Sequence, residues 1–398
     1  MTAIMLQTGR ILCLDFLVIL LGMLFVLPGC RDSPSAKTEE ESAYMADYEA
    51  PASKWGFIDT TGNLVIEAIY DDVGPFSGGL AAVNFKGLWG YIDKNGKTVI
   101  QPNYRSAWAF HEHKARVKPF DEPDQFITAS GDVISSGNWI AIDDFAEGLA
   151  RVQSGNSFGY IDTSGKMLLP PVYFGGGSFQ QGLAVVSNEE KTGMINRLGE
   201  EIIPMTYDRV KCYVTEGVVI CNKADTSVAY DLHGRELAII SGVKMIESDG
   251  QLISVSLDTM MYFFDLKQQR LLKESPWRSI IYLGEGRWAG KNKNGFLLLN
   301  EKGEILRRKT FAQINRFTEG IAVYYTGTDW GYMDVDGTDL TIDVFGLAWD
   351  YKEGFARADF ADGIAFLDRQ QRIAFYPPPG TTDMRDFSEG LAPVQISK

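Results

Sequence analysis

The feature that most constrains this chain is a pattern of about 35 residues that recurs from Trp55 to the last residues. Its clearest copy is Leu80–Tyr104, which contains three short apolar stretches. A turn that ends at Gly87 separates the first stretch from the second, and a turn that ends at Gly96 separates the second from the third. Short apolar stretches separated by glycine-containing turns are typical of β-hairpins. Each unit is therefore predicted to form three antiparallel strands, in which every strand pairs with the next.

Two motifs mark the units. The first, Trp/Phe-Gly-Tyr/Phe-Ile-Asp, has its clearest copies at Trp55–Asp59, Trp89–Asp93, Phe158–Asp162 and, with a methionine in place of the isoleucine, Trp330–Asp334. The second, Phe-x-Glu-Gly-Leu-Ala-x-Val, has its glycine position at residues 79, 113 (a histidine), 148, 182, 217, 250, 286, 320, 354 and 390. Units at such constant spacing predict a repeat array.

Successive side chains of a β-strand point to opposite faces of its sheet, so the residues of the first motif can be assigned to one face or the other. Trp89, Tyr91 and Asp93 are predicted to lie on one face, and Gly90 and Ile92 on the other. A glycine in a strand leaves bare backbone, which an aromatic side chain can cover. The tryptophan and the glycine are therefore expected to form a packing pair between adjacent units.

The motif aspartate begins a second recurring element, Asp-x-x-Gly. Its carboxylate can accept a hydrogen bond from the backbone two residues on, and the glycine can adopt a positive φ, so a tight turn is predicted. Asn196 and Asn300 offer the same chemistry in two units. Calcium is not expected at these turns, because single carboxylates about 34 residues apart do not supply the six to eight oxygens that calcium needs.

With these motifs, the chain resembles WG repeats, also called KWG repeats, which occur in many bacterial surface and secreted proteins. The resemblance extends from Trp55 to the end and is sharpest in the four units with a clear first motif. It implies a noncatalytic β-repeat module. It carries no site residues onto this chain, because the ligands of such repeats are poorly defined.

Residues 54–398 are thus predicted to form an all-β array of about ten three-stranded antiparallel meanders. The array begins with a second strand at Trp55 and ends with a first strand at Leu391–Val394, so pairing these ends would close a propeller-like ring and hide both edges. An open β-solenoid or two smaller rings are the alternatives. They are motivated by the number of units, which exceeds the usual four to eight blades, and by Pro393, which removes a donor from the terminal strand.

The N-terminal residues predict secretion and lipidation. Ile11–Val26 is apolar but short for a membrane span, which favours a signal peptide over residues 1–29. Leu27–Cys30 resembles a bacterial lipobox and predicts lipidation at Cys30. Residues 30–53 are expected to be the lipidated cysteine and a flexible tether. The predicted location is extracytoplasmic, on a bacterial membrane; an uncleaved membrane anchor is the alternative.

Chemistry-bearing motifs are missing. The net charge of -14 argues against nucleic acid, whose phosphates require clustered lysine and arginine. The three histidines are His111, His113 and His233. His111-Glu112-His113 lies where other units have the Phe-x-Glu-Gly turn, so an exposed loop is predicted there, and a metal site would lack further ligands nearby. Gly175–Gly177 precedes no helical pattern that could hold phosphate, and a loop is predicted there. We therefore expect no catalytic residues, metal or cofactor, and no enzymatic activity.

Cys212 and Cys221 flank a predicted hairpin. If Glu216-Gly217 forms a two-residue turn, the two cysteines face each other across the paired strands. An extracytoplasmic location is oxidising, which makes a disulfide possible. Two reduced, packed cysteines are the alternative, because a directly opposed bridge is strained.

These observations favour a noncatalytic binding or scaffolding module at the cell envelope. Repeat arrays present extended variable surfaces, so protein binding is the first choice. Glycan or cell-wall binding is the alternative, motivated by the eight tryptophans. Exposure of the tryptophans outside the first motif would separate the two; these are Trp108, Trp139, Trp277, Trp288 and Trp349.

Overall fold

The computed structural model describes residues 38–134, 137, 139–208, 212–343 and 345–397, all within the unit that begins at Thr38. The predicted signal peptide, residues 1–29, and the predicted lipidation site, Cys30, lie outside the described residues. In the described part of the chain, no helix combines the length and the apolar character needed to cross a membrane.

The described residues form ten small antiparallel sheets, which are the blades of a propeller-like ring. The first two strands are β1 (Ser53–Asp59) and β2 (Leu64–Tyr70). Blade 2 has β3 (Asp72–Ser77), β4 (Leu80–Phe85), β5 (Leu88–Asp93) and β6 (Thr98–Tyr104). Blade 3 has β7 (Ser106–Ala107), β8 (Lys114–Lys118) and β9 (Gln125–Thr128). Blade 4 has β10 (Ala141–Ile142), β11 (Leu149–Ser154), β12 (Ser157–Asp162) and β13 (Met167–Tyr173). Blade 5 has β14 (Gly175–Gly176), β15 (Leu183–Ser187), β16 (Lys191–Asn196) and β17 (Glu201–Asp208).

The second half of the ring continues in the same way. Blade 6 has β18 (Cys212–Thr215), β19 (Val218–Lys223), β20 (Thr226–Asp231) and β21 (Glu236–Ser241). Blade 7 has β22 (Lys244–Ser248), β23 (Leu252–Leu257), β24 (Met260–Asp265) and β25 (Arg270–Trp277). Blade 8 has β26 (Ser279–Gly284), β27 (Arg287–Asn292) and β28 (Gly295–Leu299). Blade 9 has β29 (Gln313–Ile314), β30 (Ile321–Tyr325) and β31 (Trp330–Asp334). Blade 10 has β32 (Leu347–Ala348), β33 (Ala356–Phe360), β34 (Gly363–Leu367) and β35 (Ile373–Phe375). The last two strands are β36 (Thr381–Met384) and β37 (Leu391–Ser397).

Blade 1 closes the ring by joining the two ends of the chain. Its strand order is β2-β1-β37-β36, and β1 pairs with β37 from Ser53 opposite Ser397 to Asp59 opposite Leu391. The predicted closed ring is confirmed, and the open solenoid and the two smaller rings are wrong. Pro393 is tolerated inside the blade because regular pairing with β36 ends one residue away and its carbonyl still accepts a bond from the backbone N–H of Arg385, at 2.9 Å.

The predicted three-stranded meander is incomplete. Each of the ten described blades begins with a further strand, and seven blades have four strands. In blades 3, 4, 5, 9 and 10 this first strand has only two residues, too few to show any alternation in the sequence. Blades 3, 8 and 9 lack a regular last strand; in blade 8 the isolated bridges Leu299–Ile305 and Phe296–Phe311 stand in its place.

The two faces of the first motif pack against different neighbours. Tyr91 is fully buried in a cluster that blades 2 and 3 share, whereas Ile92 is buried between blades 1 and 2. The Tyr91 ring meets the ring of Phe110 in blade 3 edge-on, with centroids 5.1 Å apart, and its hydroxyl donates to the carbonyl oxygen of Trp108 at 2.9 Å. Equivalent aromatic pairs between adjacent blades are Phe57–Phe76, Phe126–Phe145, Tyr160–Phe179 and Tyr332–Tyr351.

The expected packing of tryptophan against glycine between units is wrong. A Cβ added at Gly90 would lie 2.5 Å from the carbonyl oxygen of Ile100 and 2.7 Å from the nitrogen of Pro102, both in β6 of the same blade. The pairing of β5 with β6 shifts register between Trp89 and Tyr91, so Gly90 lies at an irregularity where two backbones approach closely. The aromatic contacts between blades come from the tyrosine position instead.

The predicted Asp-x-x-Gly turns are confirmed. The Oδ1 atom of Asp93 accepts hydrogen bonds from the backbone N–H groups of Asn95 and Lys97, both at 2.9 Å. Gly96 closes the turn with a φ of 77°. Asn196 and Asn300 accept bonds from the backbone two and four residues on in the same way. These local bonds explain the motif without any ligand.

Part of the expected tether is folded. Thr38 caps the helix α1 (Glu39–Ala46), its hydroxyl oxygen accepting from the N–H of Glu41 at 3.1 Å. The low apolar content of this segment predicts a tether, but individual side chains attach it to the ring. Glu40 forms an ion pair with Arg105 at 2.6 Å, and an aromatic contact, Tyr44–Phe120, has ring centroids 5.5 Å apart.

A second contact holds the segment that follows α1. The Tyr48 hydroxyl donates to Asp71 at 2.8 Å, and Asp71 also accepts bonds from Lys54 and from the N–H of Gly87. Burial raises the pKa of the Asp71 carboxyl, but the hydrogen bonds outweigh burial and hold the pKa below its usual value. Burial and the bond to Asp71 raise the pKa of Tyr48 to about 12. Both shifts favour the observed pair at neutral pH.

Candidate binding site

The Glu-Gly pair of the second motif links adjacent blades. At Glu353-Gly354 both residues have positive φ, 52° and 83°, as in a two-residue hairpin turn. The carboxylate of Glu319 in blade 9 accepts a hydrogen bond from the N–H of Gly354 in blade 10, at 3.0 Å. The same bond joins Glu112–Gly148, Glu147–Gly182, Gln181–Gly217, Glu285–Gly320, Glu353–Gly390 and Glu389–Gly79. In the sequence the Glu-Gly pairs are visible only as a motif that recurs at constant spacing. The sequence therefore does not predict that they form hydrogen bonds between blades.

This series of bonds is interrupted between blades 2 and 3, where Gly78 stands in place of the glutamate, and again between blades 6 and 8. Glu216 occupies the motif position, but its carboxylate has no hydrogen bond or ion pair within the described part of the chain. The N–H of Gly250 in blade 7 donates instead to the hydroxyl of Ser248, at 3.0 Å. Asp249, which precedes that glycine, accepts from the indole N–H of Trp288 at 2.8 Å. The two interfaces on either side of blade 7 therefore lack the bond that joins most adjacent blades.

A polar cavity of about 430 Å³ lies at this interruption, and we call it the charged cavity. Its lining includes Gln180, Tyr213, Glu216, Glu247 and Arg316, from blades 5, 6, 7 and 9. First strands and turns of successive blades meet at this cavity. Such convergence of charged and aromatic side chains suits recognition of a polar ligand.

The charges in this cavity are unbalanced. Glu247 accepts from the backbone N–H of Tyr282 at 2.8 Å and pairs with Arg316 at 3.5 Å. Arg316 keeps 65% of its side chain exposed, so this pair is weak. Glu216 has no cationic partner among the described residues. The two carboxylates of the cavity therefore exceed its one guanidinium by one negative charge. Burial, followed by the nearby carboxylates Glu216 and Asp249, raises the pKa of Tyr282, as expected in a negative field.

A second cavity, of about 460 Å³, lies beside the first, and we call it the glycine cavity. It is lined by Phe174, Gly175–Gly177, Val185, Val186, Ser187, Thr192 and Cys212. At the place of Gly176, three residues before the motif phenylalanine, other blades bury an apolar side chain; examples are Val73, Ile142, Ile314 and Met384. In blade 5, a Cβ at Gly176 would lie 2.9 Å from the hydroxyl oxygen of Tyr160 in blade 4, so the tyrosine takes up the space at this position. The glycine run was predicted to be a loop, but it contains β14 and lines the cavity.

β18 connects the two cavities. Cys212 lines the glycine cavity, and the residues from Tyr213 to Glu216 line the charged cavity. Cys212 pairs with Cys221 and Thr215 with Val218, so the predicted hairpin register is confirmed. The two cysteines are joined by a disulfide, with their Cα atoms 4.2 Å apart. This bond fixes β18 to β19 at the boundary between the cavities.

Thiol counting checks the redox state of this pair. We expect the mature, denatured protein to contain no reactive thiol at Cys212 or Cys221, because the residues are bonded and opposed in a stable hairpin. In the chain-entropy description, closing this short loop contributes about 2–3 kcal/mol to stability. Two reactive thiols without prior reduction would contradict the disulfide. Reduction before denaturation is the positive control and should release both.

The remaining candidate residues do not assemble into a chemical site. His111 lies 3.9 Å from Asp144, and both are solvent-accessible. Among the described residues, no three histidine, cysteine, aspartate or glutamate side chains come together as metal ligands. The two cavities along β18 each offer a ligand concave surroundings, and the chemistry of the two linings differs.

The comparisons with known proteins concern the repeats and the ring. The family model described as "WG containing repeat" matches residues 55–89, 89–118, 158–191 and 193–223. The chain therefore carries WG-type repeats within an all-β ring of ten described blades. The match at 193–223 falls on a unit without the motif tryptophan, so the family signal reaches beyond the sharpest copies.

No curated protein sequence matches the chain. A solved structure titled as a eukaryotic initiation factor is 10% identical, covering 86% of this chain and 98% of its own, with a TM-score of 0.47. BamB from Moraxella catarrhalis is 11% identical, covering 86% and 96%, with a TM-score of 0.34. Hsv2 from Kluyveromyces lactis is 10% identical, covering 63% and 92%, with a TM-score of 0.32.

Proposed function

We propose that the protein is a noncatalytic binding or scaffolding module, held at a bacterial envelope by lipid on Cys30, and that it binds another protein through the surface that carries the two cavities along β18. The observation that supports this most directly is the pair of cavities along β18, of which the charged cavity lies where the regular bonds between blades are interrupted. A closed ring, in which the two ends of the chain pair within one blade, is a rigid support for such a surface.

The tryptophans favour protein over glycan as the ligand. Trp277 and Trp288 are buried, and Trp108, Trp139 and Trp349 are half-buried. Guanidinium groups also cover two of these rings, Arg116 over Trp108 at 4.0 Å and Arg357 over Trp349 at 4.8 Å. Glycan-binding surfaces usually need open aromatic faces for stacking against sugar rings, and these side chains instead serve packing.

Affinity capture tests the proposal. A soluble Cys30→Ala form of the mature chain, immobilised at low density, is expected to retain the same protein from repeated envelope extracts. That protein, once purified, should bind saturably. Sedimentation of the free module with peptidoglycan is the control for the glycan alternative. Sedimentation without any specific protein capture would contradict protein binding and support the alternative.

Lipid attachment gives a separate prediction. Cys30→Ala in the full precursor is expected to release the protein from the membrane fraction or to block its processing, because the modified cysteine supplies the anchor. Fractionation and mass measurement of the product provide the test. Ser35→Ala, a neighbouring change outside the lipobox, is the matched control and should leave the protein in the membrane fraction. A Cys30→Ala protein that stays membrane-bound at mature size would contradict lipid anchoring at this residue.

A further inference from the structure

We propose that the two cavities together bind one extended segment of the partner protein, with an apolar side chain in the glycine cavity and a lysine or arginine side chain in the charged cavity. The inference rests on the proposed protein-binding function and adds the chemistry of the bound segment. It is based on two departures from the repeat. One is the glycine run of blade 5, and the other is the carboxylate of Glu216, which does not bond to the next blade.

The glycine cavity suits an apolar side chain. Its walls include Phe174, Val185 and Val186, and none of its lining residues is charged. Its volume of about 460 Å³ exceeds that of a cavity of about 150 Å³ that holds a benzene ring. An incoming leucine, methionine or phenylalanine would remove its own apolar surface and that of these walls from water.

The charged cavity suits a basic side chain. Glu216 and Glu247 offer two carboxylates, whereas Arg316 offers one guanidinium, so one negative charge is unmatched. Tyr213 and Ile246 provide apolar surface against which the methylene stem of a lysine or arginine can pack. The net charge of -14 for the whole chain also attracts a basic partner at a distance. These charges disfavour an acidic segment.

The spacing of the two cavities sets the spacing of the two side chains. Both cavities lie along β18, from Cys212 at one end to Glu216 just past the other. Successive strand residues rise by about 3.3 Å, so these positions are about 13 Å apart. A partner segment in an extended conformation covers this distance in three or four residues. We therefore expect an apolar and a basic residue separated by two or three others.

Selection from a displayed library of random nonapeptides tests this specificity. The soluble Cys30→Ala form serves as the bait, and the same bait carrying Gly177→Leu and Glu216→Lys serves for counter-selection. Enriched peptides are expected to carry an apolar and a basic residue three or four positions apart. Enrichment of acidic peptides, enrichment without that spacing, or no enrichment over the counter-selected bait would overturn the proposal.

Single variants then separate the two cavities in fluorescence anisotropy with the enriched peptide. A Cβ at Gly177 would meet no atom within 4 Å, so Gly177→Leu should fill the glycine cavity without disturbing the fold and weaken binding at least tenfold. Glu216→Lys should weaken binding of the basic peptide at least tenfold and favour its lysine-to-glutamate counterpart. Glu67→Lys, which changes net charge equally at an exposed site in β2, is the matched control.

The captured protein distinguishes this inference from the proposed function. If it binds the wild type and both cavity variants equally, the ring is a protein-binding module that uses another surface, and the inference is wrong. If no protein is captured and no peptide is enriched, the proposed function fails as well. Unchanged thermal unfolding of Gly177→Leu and Glu216→Lys shows that a loss of binding does not arise from misfolding.

Discussion

Gly90→Ala is expected to destabilise the ring by about 2–4 kcal/mol, a large effect for one methyl group. The added Cβ would lie 2.5 Å from the carbonyl oxygen of Ile100 and 2.7 Å from the nitrogen of Pro102. These neighbours are backbone atoms of a paired strand, so they cannot move aside as a flexible side chain would. The strand irregularity that joins β5 to β6 would have to open. Gly159 and Gly193 face the same contacts in blades 4 and 5.

Denaturant unfolding of purified variants measures this effect. Gly74→Ala is the matched control, because its added Cβ would have its nearest contact, Ala82, at an ordinary 3.7 Å and no positive φ strains the residue. We expect the control to change the free energy of unfolding by no more than about 0.5 kcal/mol. Equal midpoints for the two variants would show that close backbone approach is not the role of the motif glycine.

The parts of the fold that the sequence predicts correctly depend on local bonds or on the ends of the array. The turn at Asp93–Gly96 is closed by bonds two and four residues apart, so residue types alone specify it. The opposition of Cys212 and Cys221 follows from a two-residue turn and strand counting. Closure follows because the half-units at Trp55 and Leu391 complete one blade.

The parts of the fold that the sequence does not predict depend on how each blade packs against the next. The bond from Glu319 to Gly354 joins residues in different units, and nothing within one unit indicates it. The contact between Tyr91 and Phe110 likewise exists only once blades 2 and 3 are stacked. For the same reason the sequence pattern wrongly predicts that the motif glycine packs between units, although its close contact lies within one blade.

The candidate site is visible in the sequence as departures from the repeat, which could have predicted its position. Positions that are regular in other units are altered in blades 5 to 7: Gly176 replaces a buried apolar residue, and Ser248 replaces the contact that Glu216 would make with Gly250. Departures from a repeat identify places released from its packing requirements. Only the ring shows that these departures lie side by side along β18.

Deletion of Phe387–Lys398 is expected to have the largest effect of all. It removes β37, the strand that lies between β1 and β36 and closes the ring. Phe387, Ala392 and Val394 are buried, and loss of such side chains costs several kcal/mol in total. The loss should reach about 5 kcal/mol or more, comparable with the whole stability of a typical domain. Unfolding should become broad, because the ring opens and its blades lose mutual support.

Trp55 reports the opening directly. It is 4% exposed in the closed ring, where β37 pairs along its strand and Gln395 lies opposite it. After the deletion, acrylamide should quench its fluorescence, measured as the difference from a Trp55→Phe counterpart so that the other tryptophans cancel. Truncation after Gln395 is the matched control, because it removes only half-buried and exposed described residues and leaves the pairing from Trp55 to Asp59 intact. An unchanged unfolding profile and an unchanged Trp55 environment in the longer deletion would rule out the closed ring, since only a closed ring requires β37 to cover both the edge of β1 and this side chain.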